Sequence, residues 1–447
     1  MNRVELSSRI RDWLQLREHE AIDLVRELVR IPSVNHPPNG NEAACQLFFA
    51  EWLKGEGAEV RMYDLAEVPG LTDHPAYMAG RNYEGRPNIS AAFRGEGKGR
   101  SLLFSGHMDT VYEGTEPWTD GPFEGTVRDG KLFGRGAYDM KGGLAAACMA
   151  VRCLRELDVR LAGDVYIESV VDEEHGGANG TLAARLSGLA PADMAVVPEP
   201  TNLAVCPAHL GGGIWKASFE GRSGIAFAGE ELVSALEATI QFAHLLKAFE
   251  RHLNALVSPP RWWAHGRSLG VSLLSIVSGD TTRELQEKVP ATGELKFWIE
   301  GYPGMTGEGI LEELWRFFDA EAHRYPPLAA CRPVIVPLIR YLSASEMPPG
   351  EATEQFLASV KRAGERAGQE QTEPMRGTPF ACDGFLFNLH SGTPALILGP
   401  SGANAHAADE YLDLPSYMRL IGWYAELMLD WCGLAGEEAS HDDSSGD

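Results

Sequence analysis

Short runs of consecutive apolar residues, separated by turn-forming residues, dominate the first half of the chain and return near its end. The runs show no alternation of polar and apolar positions, as in Leu102-Leu103-Phe104 and Val196-Val197. Strands that are buried on both faces have this pattern, whereas a strand with one solvated face alternates. The pattern predicts buried strands at residues 88–93, 101–105, 165–171, 194–197 and 394–398.

Segments with helical periodicity lie before and between these strands. Residues 8–31 and 42–55 carry apolar positions at helical spacing, and residues 142–156 form a stretch rich in Ala and Met between two predicted strands. An order of strand, helix and strand is typical of a parallel sheet with right-handed crossovers. The predicted fold class is therefore α/β, with a mainly parallel sheet.

Residues 208–342 have a different element order, which predicts a second domain inserted into the first. The segment begins with Gly211-Gly212-Gly213, which we interpret as a hinge, and Pro348-Pro349-Gly350 marks the return to the first domain. Its predicted elements are strands at 214–220, 268–277, 292–300 and 332–336 and helices at 230–252 and 307–324. This order resembles an α+β sandwich. We expect a first domain made of residues 1–207 and 343–447 and a second domain made of residues 208–342. Residues from about 436 to 447 are expected to form a disordered acidic tail.

Composition and charge narrow the functional classes. The chain of 447 residues is too long for one ordinary core, and its 44% of hydrophobic and 23% of charged residues are typical of a globular protein. A net charge of −24 repels phosphate backbones and anionic lipids, so neither nucleic acid nor a membrane is an expected partner. The seven cysteines include no CxxC pair, and the N-terminal segment lacks the apolar core of a secretion signal, so we expect a cytoplasmic location.

Side chains that can bind metal follow the predicted strands, at the sheet edge where open parallel sheets bind their ligands. They are His107 and Asp109 after the second apolar run, Glu173 and Glu174 after the third, Glu199 after the fourth and His406 after the fifth. A further carboxylate, Asp139, lies in a glycine-rich segment before the helix at 142–156, where glycines let the backbone approach a site closely.

Each of these features alone also has an ordinary structural explanation. A lone His-x-Asp is usually a surface or capping pair, and Glu173-Glu174 after a strand is usually a solvated turn. A glycine-rich loop before a helix can hold phosphate, but no Lys-Ser/Thr pair completes a phosphate-binding loop here. Two imidazoles and three carboxylates at one sheet edge instead match a two-metal site, in which each ion takes one His, one private carboxylate and a share of a bridging one.

The motif blocks resemble those of the metallopeptidase family that includes aminoacylases, acetylornithine deacetylase, succinyl-diaminopimelate desuccinylase and glutamate carboxypeptidases. The resemblance covers nearly the whole chain. It starts at residues 27–34, and the further matching blocks are 106–111, 134–143, 172–177, 198–201 and 405–411. It implies a di-metal catalytic domain with a mainly parallel sheet and an inserted α+β lid through which related chains form dimers.

The resemblance also implies which residues bind the metals. His107, Asp139 and Glu199 would bind one divalent ion. Asp139, Glu174 and His406 would bind the other, so Asp139 would bridge the pair. Zn²⁺ is the expected metal at both positions, with Mn²⁺ or Co²⁺ as alternatives because three of these ligands are hard oxygens. Two such ions, roughly 3.5–4 Å apart, would share a water and lower its pKa towards about 7.

The implied catalytic residues are Glu173 and Asp109. Glu173 would act as the general base, taking a proton from the metal-bridging water and delivering it to the leaving nitrogen after the resulting hydroxide has attacked the carbonyl. Asp109 would hydrogen-bond His107 and fix its tautomer. The peptide bond between Asp139 and Met140 would be cis, as it is in the family.

The predicted lid departs from the family at the positions that contact substrate. Ile225 occupies the slot of a His that stabilises the oxyanion from across a dimer, and Glu300 occupies the slot of an Arg that holds a substrate carboxylate. Residues 287–290, Glu-Lys-Val-Pro, stand where Asn-x-Val-Pro is usual. Losing one oxyanion donor typically costs roughly 10²–10³ in rate. The candidates that could replace it are His209, His265, Arg283 and Lys288, although each also fits a structural or surface position.

These departures put N-acyl amino acids held by their α-carboxylate in doubt as substrates. The first hypothesis is a hydrolase of an amide-type C–N bond in a small molecule. A deaminase or amidase acting on an unusual, aromatic substrate is an alternative, suggested by lid tryptophans that also fit a core: Trp215, Trp262, Trp263 and Trp298. A binding protein of the same fold would have no use for a general base, and a phosphoesterase would need a cationic clamp that the motif blocks lack. We also expect a homodimer or a higher homo-oligomer formed through the lid, which closes over the metals during turnover.

Overall fold

The structure is a computed structural model that describes residues 3–225, 231–264, 266–282, 284–285, 287–369 and 374–436. The predicted site candidates His265 and Arg283, and the predicted tail beyond Gly436, lie outside the described residues. The helices are α1 (Arg3–Leu16), α2 (Glu18–Arg30), α3 (Ala43–Gly55), α4 (Gly142–Glu156), α5 (Asn179–Ser187), α6 (Ala235–Leu256), α7 (Gly307–Glu321), α8 (Pro326–Ala330), α9 (Glu351–Arg366), α10 (Gly384–Asn388) and α11 (Leu414–Cys432).

The strands are short in the first part of the chain and longer in the middle. They are β1 (Asn35–His36), β2 (Asn39–Gly40), β3 (Glu59–Tyr63), β4 (Asn88–Phe93), β5 (Leu102–His107), β6 (Thr126–Arg128), β7 (Lys131–Phe133), β8 (Val165–Val170), β9 (Met194–Val197), β10 (Ala208–His209), β11 (Gly211–Glu220), β12 (Val271–Ser278), β13 (Thr292–Gly301), β14 (Val334–Pro337), β15 (Ser345–Glu346), β16 (Ala395–Ile397), β17 (Gly402–Ala403) and β18 (Tyr411–Asp413).

The chain divides into two compact units. The first comprises Met1–Pro207, Met347–Arg376 and Leu386–Asp447, and the second comprises Ala208–Glu346 and Gly377–Phe385. The second unit thus includes a short segment, Gly377–Phe385, that no change in composition marks in the sequence. Its role as a lid and dimerisation domain stays a prediction.

The first unit is built on a six-stranded sheet with the order β16-β9-β5-β8-β4-β3. The neighbouring strands from β16 to β8 pair in parallel. At the other end of the sheet, β4 pairs antiparallel with β8, and the edge strand β3 pairs antiparallel with β4. Every residue of β5, β8 and β9 is buried, which explains the apolar runs without alternation. The predicted α/β class with a mainly parallel sheet is confirmed.

Close packing at the start of α4 shapes the edge of this sheet. A β-carbon at Gly143 would lie 2.0 Å from the carbonyl oxygen of Pro198, far inside van der Waals contact. Only glycine permits that approach. The glycine therefore brings the beginning of α4, which follows Asp139, against the loop that carries Glu199.

Two predicted helix bounds are wrong. The predicted helix at 8–31 is two helices, α1 and α2, which meet at Arg17. The break is invisible in the sequence because Leu6 and Ile10 of α1 pack into the same core as Leu24 of α2, so the apolar periodicity continues across it. The predicted helix at 230–252 begins later and is α6, because the Ser234 hydroxyl accepts the backbone N–H of Glu237 and caps the helix there.

The second unit contains a four-stranded antiparallel sheet with the order β12-β13-β11-β14. Strands β11 and β13 pair along ten residues each, and α6 and α7 share one core with the sheet. That core includes Phe219, Phe242, Phe249, Phe297 and Leu314. The predicted α+β sandwich of one sheet and two helices is confirmed.

The predicted glycine hinge is wrong. Gly211, Gly212 and Gly213 lie within β11 and pair with β13. A β-carbon at Gly212 would lie 2.0 Å from the ring of Trp298, and one at Gly213 would lie 2.9 Å from the ring of Trp215. The glycines therefore make room for two indole rings instead of providing flexibility.

All seven cysteines are buried thiols. Cys148 and Cys153 lie in the core on α4, where burial raises the pKa of both thiols. Within the described part of the chain, no helix combines the length and the apolarity needed to cross a lipid bilayer.

Candidate metal centre

His107 ends strand β5 and is buried. Its Nδ1 lies 2.8 Å from the backbone carbonyl oxygen of Asp109. A carbonyl oxygen only accepts hydrogen bonds, so Nδ1 carries the proton in the neutral ring. Nε2 then presents its lone pair, which is the form of imidazole that binds a metal ion.

Three carboxylates surround this lone pair. The distances from His107 Nε2 are 3.4 Å to Asp139 Oδ1, 3.5 Å to Glu199 Oε1 and 3.8 Å to Glu173 Oε2. Nε2 is buried and makes no hydrogen bond to any described residue. A buried lone pair that faces three acids is unfavourable unless positive charge lies among them. The residues present therefore fit a divalent cation.

His406 faces the same carboxylate from the other side. Its Nε2 lies 2.9 Å from Glu174 Oε2 and 3.3 Å from Asp139 Oδ2. The two oxygens of Asp139 thus face two different imidazoles, which is the arrangement of a carboxylate that bridges two ions. The side chain of His406 is 52% exposed, so this side of the site is open to solvent.

The ligand atoms form two overlapping groups, each with all of its atoms within 4.8 Å of one another. One group is His107, Glu173 and Glu199, and the other is His107, Asp139 and Glu174. The structure therefore brings all the predicted ligands and the predicted base to one place. It also places Glu173 near enough to be a ligand itself.

The excess of carboxylates sets the electrostatics of the cluster. Burial alone would lower the pKa of His107, but the carboxylates of Asp139 and Glu199 outweigh it and hold the pKa well above its usual range. The charge of Glu174 does the same for His406. Burial alone would raise the pKa of Asp139, but the two imidazoles that face its oxygens outweigh burial and lower the pKa. The cluster attracts positive charge, and a divalent ion can replace the imidazole protons.

Asp109 touches His107 through its backbone, while its carboxylate has other partners. The carboxylate lies 3.8 Å from His107 Nδ1. It accepts hydrogen bonds from the backbone N–H groups of Glu173 and Glu174, at 3.1 Å each, and from Asn35 Nδ2 at 2.9 Å. Asp109 therefore holds the loop that carries the predicted base, together with Asn35, to which no sequence motif pointed.

Glu410 is a second residue that the sequence motifs did not single out, although it lies in the matching block 405–411. It is fully buried, and its Oε1 accepts the backbone N–H groups of Tyr138 at 2.9 Å and Asp139 at 3.1 Å. Its Oε2 accepts a hydrogen bond from Arg135 at 2.6 Å. Glu410 thus fixes the backbone of Asp139, and the peptide bond between Asp139 and Met140 is cis.

The second unit holds the candidates for the missing lid His. His209 is fully buried, with Nδ1 2.8 Å from the Leu210 carbonyl oxygen and Nε2 2.8 Å from Ser345 Oγ. Burial lowers its pKa to about 4. Because both ring nitrogens have partners, His209 is structural, and the suggestion that it supplies the oxyanion donor is wrong. Lys288 is exposed, and Ile225 is also exposed beside residues that the structure does not describe.

Glu300, in the slot of the family's Arg, is held by its own unit. Its Oε1 accepts from Arg267 Nη2 at 2.7 Å and its Oε2 accepts from the Gly270 N–H at 2.7 Å. The Glu300 side chain is only 12% exposed, so it does not extend into solvent. Trp215 and Trp263 belong to the core of this unit.

Comparison with known proteins places the chain among related enzymes. The sequence model of the family described as "Peptidase family M20/M25/M40" matches residues 103–430, a span that includes all the ligand candidates. The chain is 27% identical to an N-formyl-4-amino-5-aminomethyl-2-methylpyrimidine deformylase of Halalkalibacterium halodurans, covering 93% of this chain and 95% of the relative. It is 29% identical to a succinyl-diaminopimelate desuccinylase of Gluconacetobacter diazotrophicus, covering 91% and 96%.

Solved structures show the same fold. Human carnosine dipeptidase 1 superposes with a TM-score of 0.68 at 18% identity, covering 95% of this chain and 99% of the other. A protein of Bacillus subtilis described as a dinuclear metal binding peptidase from the M20 family superposes with a TM-score of 0.57 at 16% identity, covering 93% and 98%.

Proposed function

Because the chain belongs to peptidase family M20/M25/M40, we propose that it is a metal-dependent hydrolase that cleaves an amide-type C–N bond of a small molecule. One observation carries the proposal. The Nε2 lone pair of His107 is buried among three carboxylates and makes no hydrogen bond within the described chain. A buried imidazole lone pair among acids becomes favourable when it binds a cation. The two relatives compared above are named a deformylase and a desuccinylase, and both names describe hydrolases.

The proposed site holds two divalent ions. His107 and Glu199 would hold one, Glu174 and His406 would hold the other, and Asp139 would bridge them, since its two oxygens face the two imidazoles. When bound, such ions supply Lewis acidity that polarises a carbonyl and lowers the pKa of water. Zn²⁺ is the metal that we propose, with Mn²⁺ or Co²⁺ as alternatives for the oxygen-rich ligand set.

Glu173 is the proposed general base and acid. Its carboxylate lies at the edge of the ligand cluster, and its backbone is fixed by Asp109. It would accept a proton from the attacking water and return that proton to the leaving nitrogen, so that an amine departs instead of an amide anion. The residue beside it, Glu174, faces His406 and serves as a ligand.

The substrate that we propose lacks an α-carboxylate. Related lids hold that group with an Arg, and here the slot carries Glu300, an acid already paired with Arg267. The name of the deformylase relative describes an N-formyl amine on a methylpyrimidine, an aromatic ring without a carboxylate. We therefore favour an N-acylated amine attached to an aromatic group, and a hydrolytic deaminase of such a compound is the second candidate.

A metal-dependent activity screen tests the proposed function. Metal-free protein and protein loaded with Zn²⁺, Mn²⁺ or Co²⁺ would be assayed against N-acyl amino acids, dipeptides and aryl amides. We expect turnover only with metal, and best with aryl amides. The control is Glu173→Gln with the same metal. The proposal would be contradicted if chelation left the activity towards every compound unchanged. It would also be contradicted if the metal-loaded protein hydrolysed none of the compounds.

We also propose that the chain forms a homodimer through the second unit. Strand β12 is an edge strand, and its Leu273, Leu274, Ile276 and Val277 are 40–50% exposed. Leu236 and Ile240 of α6 are exposed apolar residues of the same unit. An edge strand with exposed apolar side chains pairs readily with another strand, and monomers usually blunt such an edge with charges or Pro.

Light scattering after size-exclusion chromatography tests the dimer. Ile276→Lys places a charge on the β12 edge and is expected to give a monomer. Val334→Lys places the same charge on β14, the opposite edge of the same sheet, where Val334 is also exposed, and is expected to leave the dimer intact. A wild-type monomer, or a dimer that tolerates Ile276→Lys, would rule out this interface.

A further inference from the structure

A network of buried polar and charged side chains lies against the loop that carries Glu173 and Glu174, and the proposed chemistry does not use it. Its members are Asn35, Glu42, Arg81, Tyr83, Arg86, Asp172 and Asn179. The side chains of Glu42, Arg86 and Asp172 are almost inaccessible to solvent. Burying so many charges is weak evidence for added stability, because desolvation offsets their attraction. Their placement calls for another explanation.

The network forms hydrogen bonds to the loop through the carboxylate of Asp172, the residue directly before Glu173. The Tyr83 hydroxyl donates to Asp172 Oδ2 at 2.6 Å, and Asn35 Nδ2 donates to Oδ1 at 2.8 Å. Arg81 and Arg86 each approach Oδ1 to 3.6 Å. Asp172 has a φ of 62°, a left-handed conformation that is strained for a residue other than glycine. Its side-chain bonds therefore hold the backbone turn that begins directly before Glu173.

Residues 78–86, which include Arg81 and Tyr83, also form hydrogen bonds to the chain that follows Glu174. Arg81 Nη2 donates to the carbonyl oxygen of His175 at 2.6 Å. Asn179 exchanges two hydrogen bonds of 2.8 Å with the backbone of Met78, and its Nδ2 also donates to the Tyr83 hydroxyl at 2.9 Å. Residues 78–86 thus contact the chain before, just after and beyond Glu173 and Glu174.

The segment itself is anchored to the body of the first unit. Arg86 Nε and Nη2 donate to the two carboxylate oxygens of Glu42 at 2.8 Å and 2.5 Å, and its Nη1 donates to the Asn82 carbonyl oxygen at 3.0 Å. A bidentate pair of this kind fixes orientation as well as distance. Burial and the charge of Asp172 raise the pKa of Tyr83, so its hydroxyl keeps its proton and remains a donor.

We infer that residues 78–86 form a positioning clamp for the metal-binding loop, with Tyr83 and Arg81 as positioning residues for Glu173 and Glu174. The clamp acts through Asp172, the His175 carbonyl oxygen and Asn179. Its effect on turnover rests on the proposed function, whereas its effect on metal affinity does not. Groups that orient metal ligands in this way typically contribute 10–100-fold in affinity or activity.

The test compares Tyr83→Phe with Tyr417→Phe. Both changes remove one hydrogen-bonded hydroxyl from the first unit, but the Tyr417 hydroxyl donates to the Ala21 carbonyl oxygen on α2 at 2.9 Å. Zn²⁺ affinity would be measured by competition with a chromophoric chelator, alongside kcat and KM. Tyr83→Phe should weaken binding of at least one ion about 10–100-fold and lower kcat by a similar factor with KM little changed. Tyr417→Phe should lower the melting temperature only.

Arg81→Lys provides a second variant that keeps the charge near Asp172 but cannot reproduce the guanidinium contact to His175, and it should weaken metal binding about 10-fold. Wild-type metal affinity in both Tyr83→Phe and Arg81→Lys would overturn the inference, as would an equal loss of affinity in Tyr417→Phe. If the wild-type protein binds metal but hydrolyses no amide, the proposed function fails, and the affinity measurements still decide whether the clamp exists.

Discussion

The backbone carbonyl oxygen of Asp109 accepts the Nδ1–H of His107 at 2.8 Å, while the Asp109 carboxylate binds the backbone of Glu173 and Glu174. One residue thus orients the imidazole with its main chain and positions the base loop with its side chain. A substitution of the side chain alone separates these two effects, because it leaves the carbonyl in place.

Asp109→Asn should therefore keep the His107 tautomer but disturb the loop. Each carboxylate oxygen of Asp109 accepts a hydrogen bond from one of the two backbone N–H groups. In asparagine an NH₂ group replaces one of these oxygens, so that one N–H group faces another donor and loses its hydrogen bond. We expect kcat to fall about 10–100-fold, with a smaller loss of metal affinity. Steady-state kinetics and metal analysis check this, with Asp12→Asn on the exposed side of α1 as the control. Unchanged kcat would mean that the carboxylate does not position the loop.

The bridging position of Asp139 predicts a graded loss of metal. Purified protein should hold about two divalent ions per chain, as two-metal hydrolases do. His406→Ala should lose one ion, since His406 faces Glu174 and Asp139, which are the carboxylates of one of the two proposed ions. Asp139→Ala should lose both, because its two oxygens face the two imidazoles. Metal content after extensive dialysis, measured by mass spectrometry, decides the point, and full occupancy in Asp139→Ala would refute the bridging role.

The two roles open to Glu173 predict different outcomes for one substitution. Glu173→Gln keeps the size of the side chain but cannot take a proton. If Glu173 is the base, kcat falls by roughly 10²–10⁴ while both ions and KM are retained. If Glu173 is instead a ligand, as its 3.8 Å distance from His107 Nε2 permits, an ion is lost as well. Kinetics and metal content from the same preparation separate the two.

The sheet and the ligand positions could be predicted from the sequence because both depend on local pattern. A buried parallel strand leaves an unbroken apolar run, and the polar residue that ends it must lie at the carboxyl edge of the sheet. His107, Glu173 and Glu199 each follow such a run, so their convergence was predictable from one sequence. Asp139 needed the glycine-rich segment and the family resemblance as well.

The supporting residues could not be predicted because their contacts are long-range. Tyr83 meets Asp172, and Arg135 meets Glu410, across wide sequence separations with no periodic signal. The three glycines of β11 failed as a hinge prediction for a similar reason. A glycine needed for flexibility and a glycine needed to admit the Trp298 ring have the same letter, and only the packing distinguishes them.

A pH-dependent stability is expected from Asp430, at the contact of α9 with α11. Burial alone would raise the pKa of Asp430, but hydrogen bonds from Arg362 and Arg366 outweigh it and lower the pKa. A carboxyl with a lowered folded-state pKa stabilises the fold above its unfolded pKa of about 3.9, and this stability is lost as the pH falls through the folded pKa. Asp430→Asn should therefore cost about 1.5–3 kcal/mol at neutral pH and progressively less in acid.

Urea unfolding at several pH values checks the Asp430 prediction. Asp23→Asn is the control, because its partner Arg26 forms an exposed pair within one helix that contributes about 0–1 kcal/mol. An Asp430→Asn deficit that stays constant from neutral pH to pH 3 would show that the charge of Asp430 is not the stabilising feature.

The identity of residue 300 predicts which of two matched substrates is turned over. N-formylbenzylamine and N-formylphenylglycine carry the same amide and the same ring, and they differ by one α-carboxylate. If the lid receives the substrate as related lids do, that carboxylate meets Glu300, and an unpaired or repelled charge at a desolvated contact costs several kcal/mol. We expect kcat/KM for the carboxylate-free compound to exceed that of its partner by at least 10²-fold, on the order of the ratio that about 2.7 kcal/mol gives.

Glu300→Gln removes the repulsion and should narrow the gap, whereas Glu294→Gln, at an exposed position of β13, should leave it unchanged. Turnover of the carboxylate-bearing compound with kcat/KM near 10⁵ M⁻¹s⁻¹, within the ordinary enzyme range, would show that another cation holds the carboxylate and that Glu300 does not set specificity.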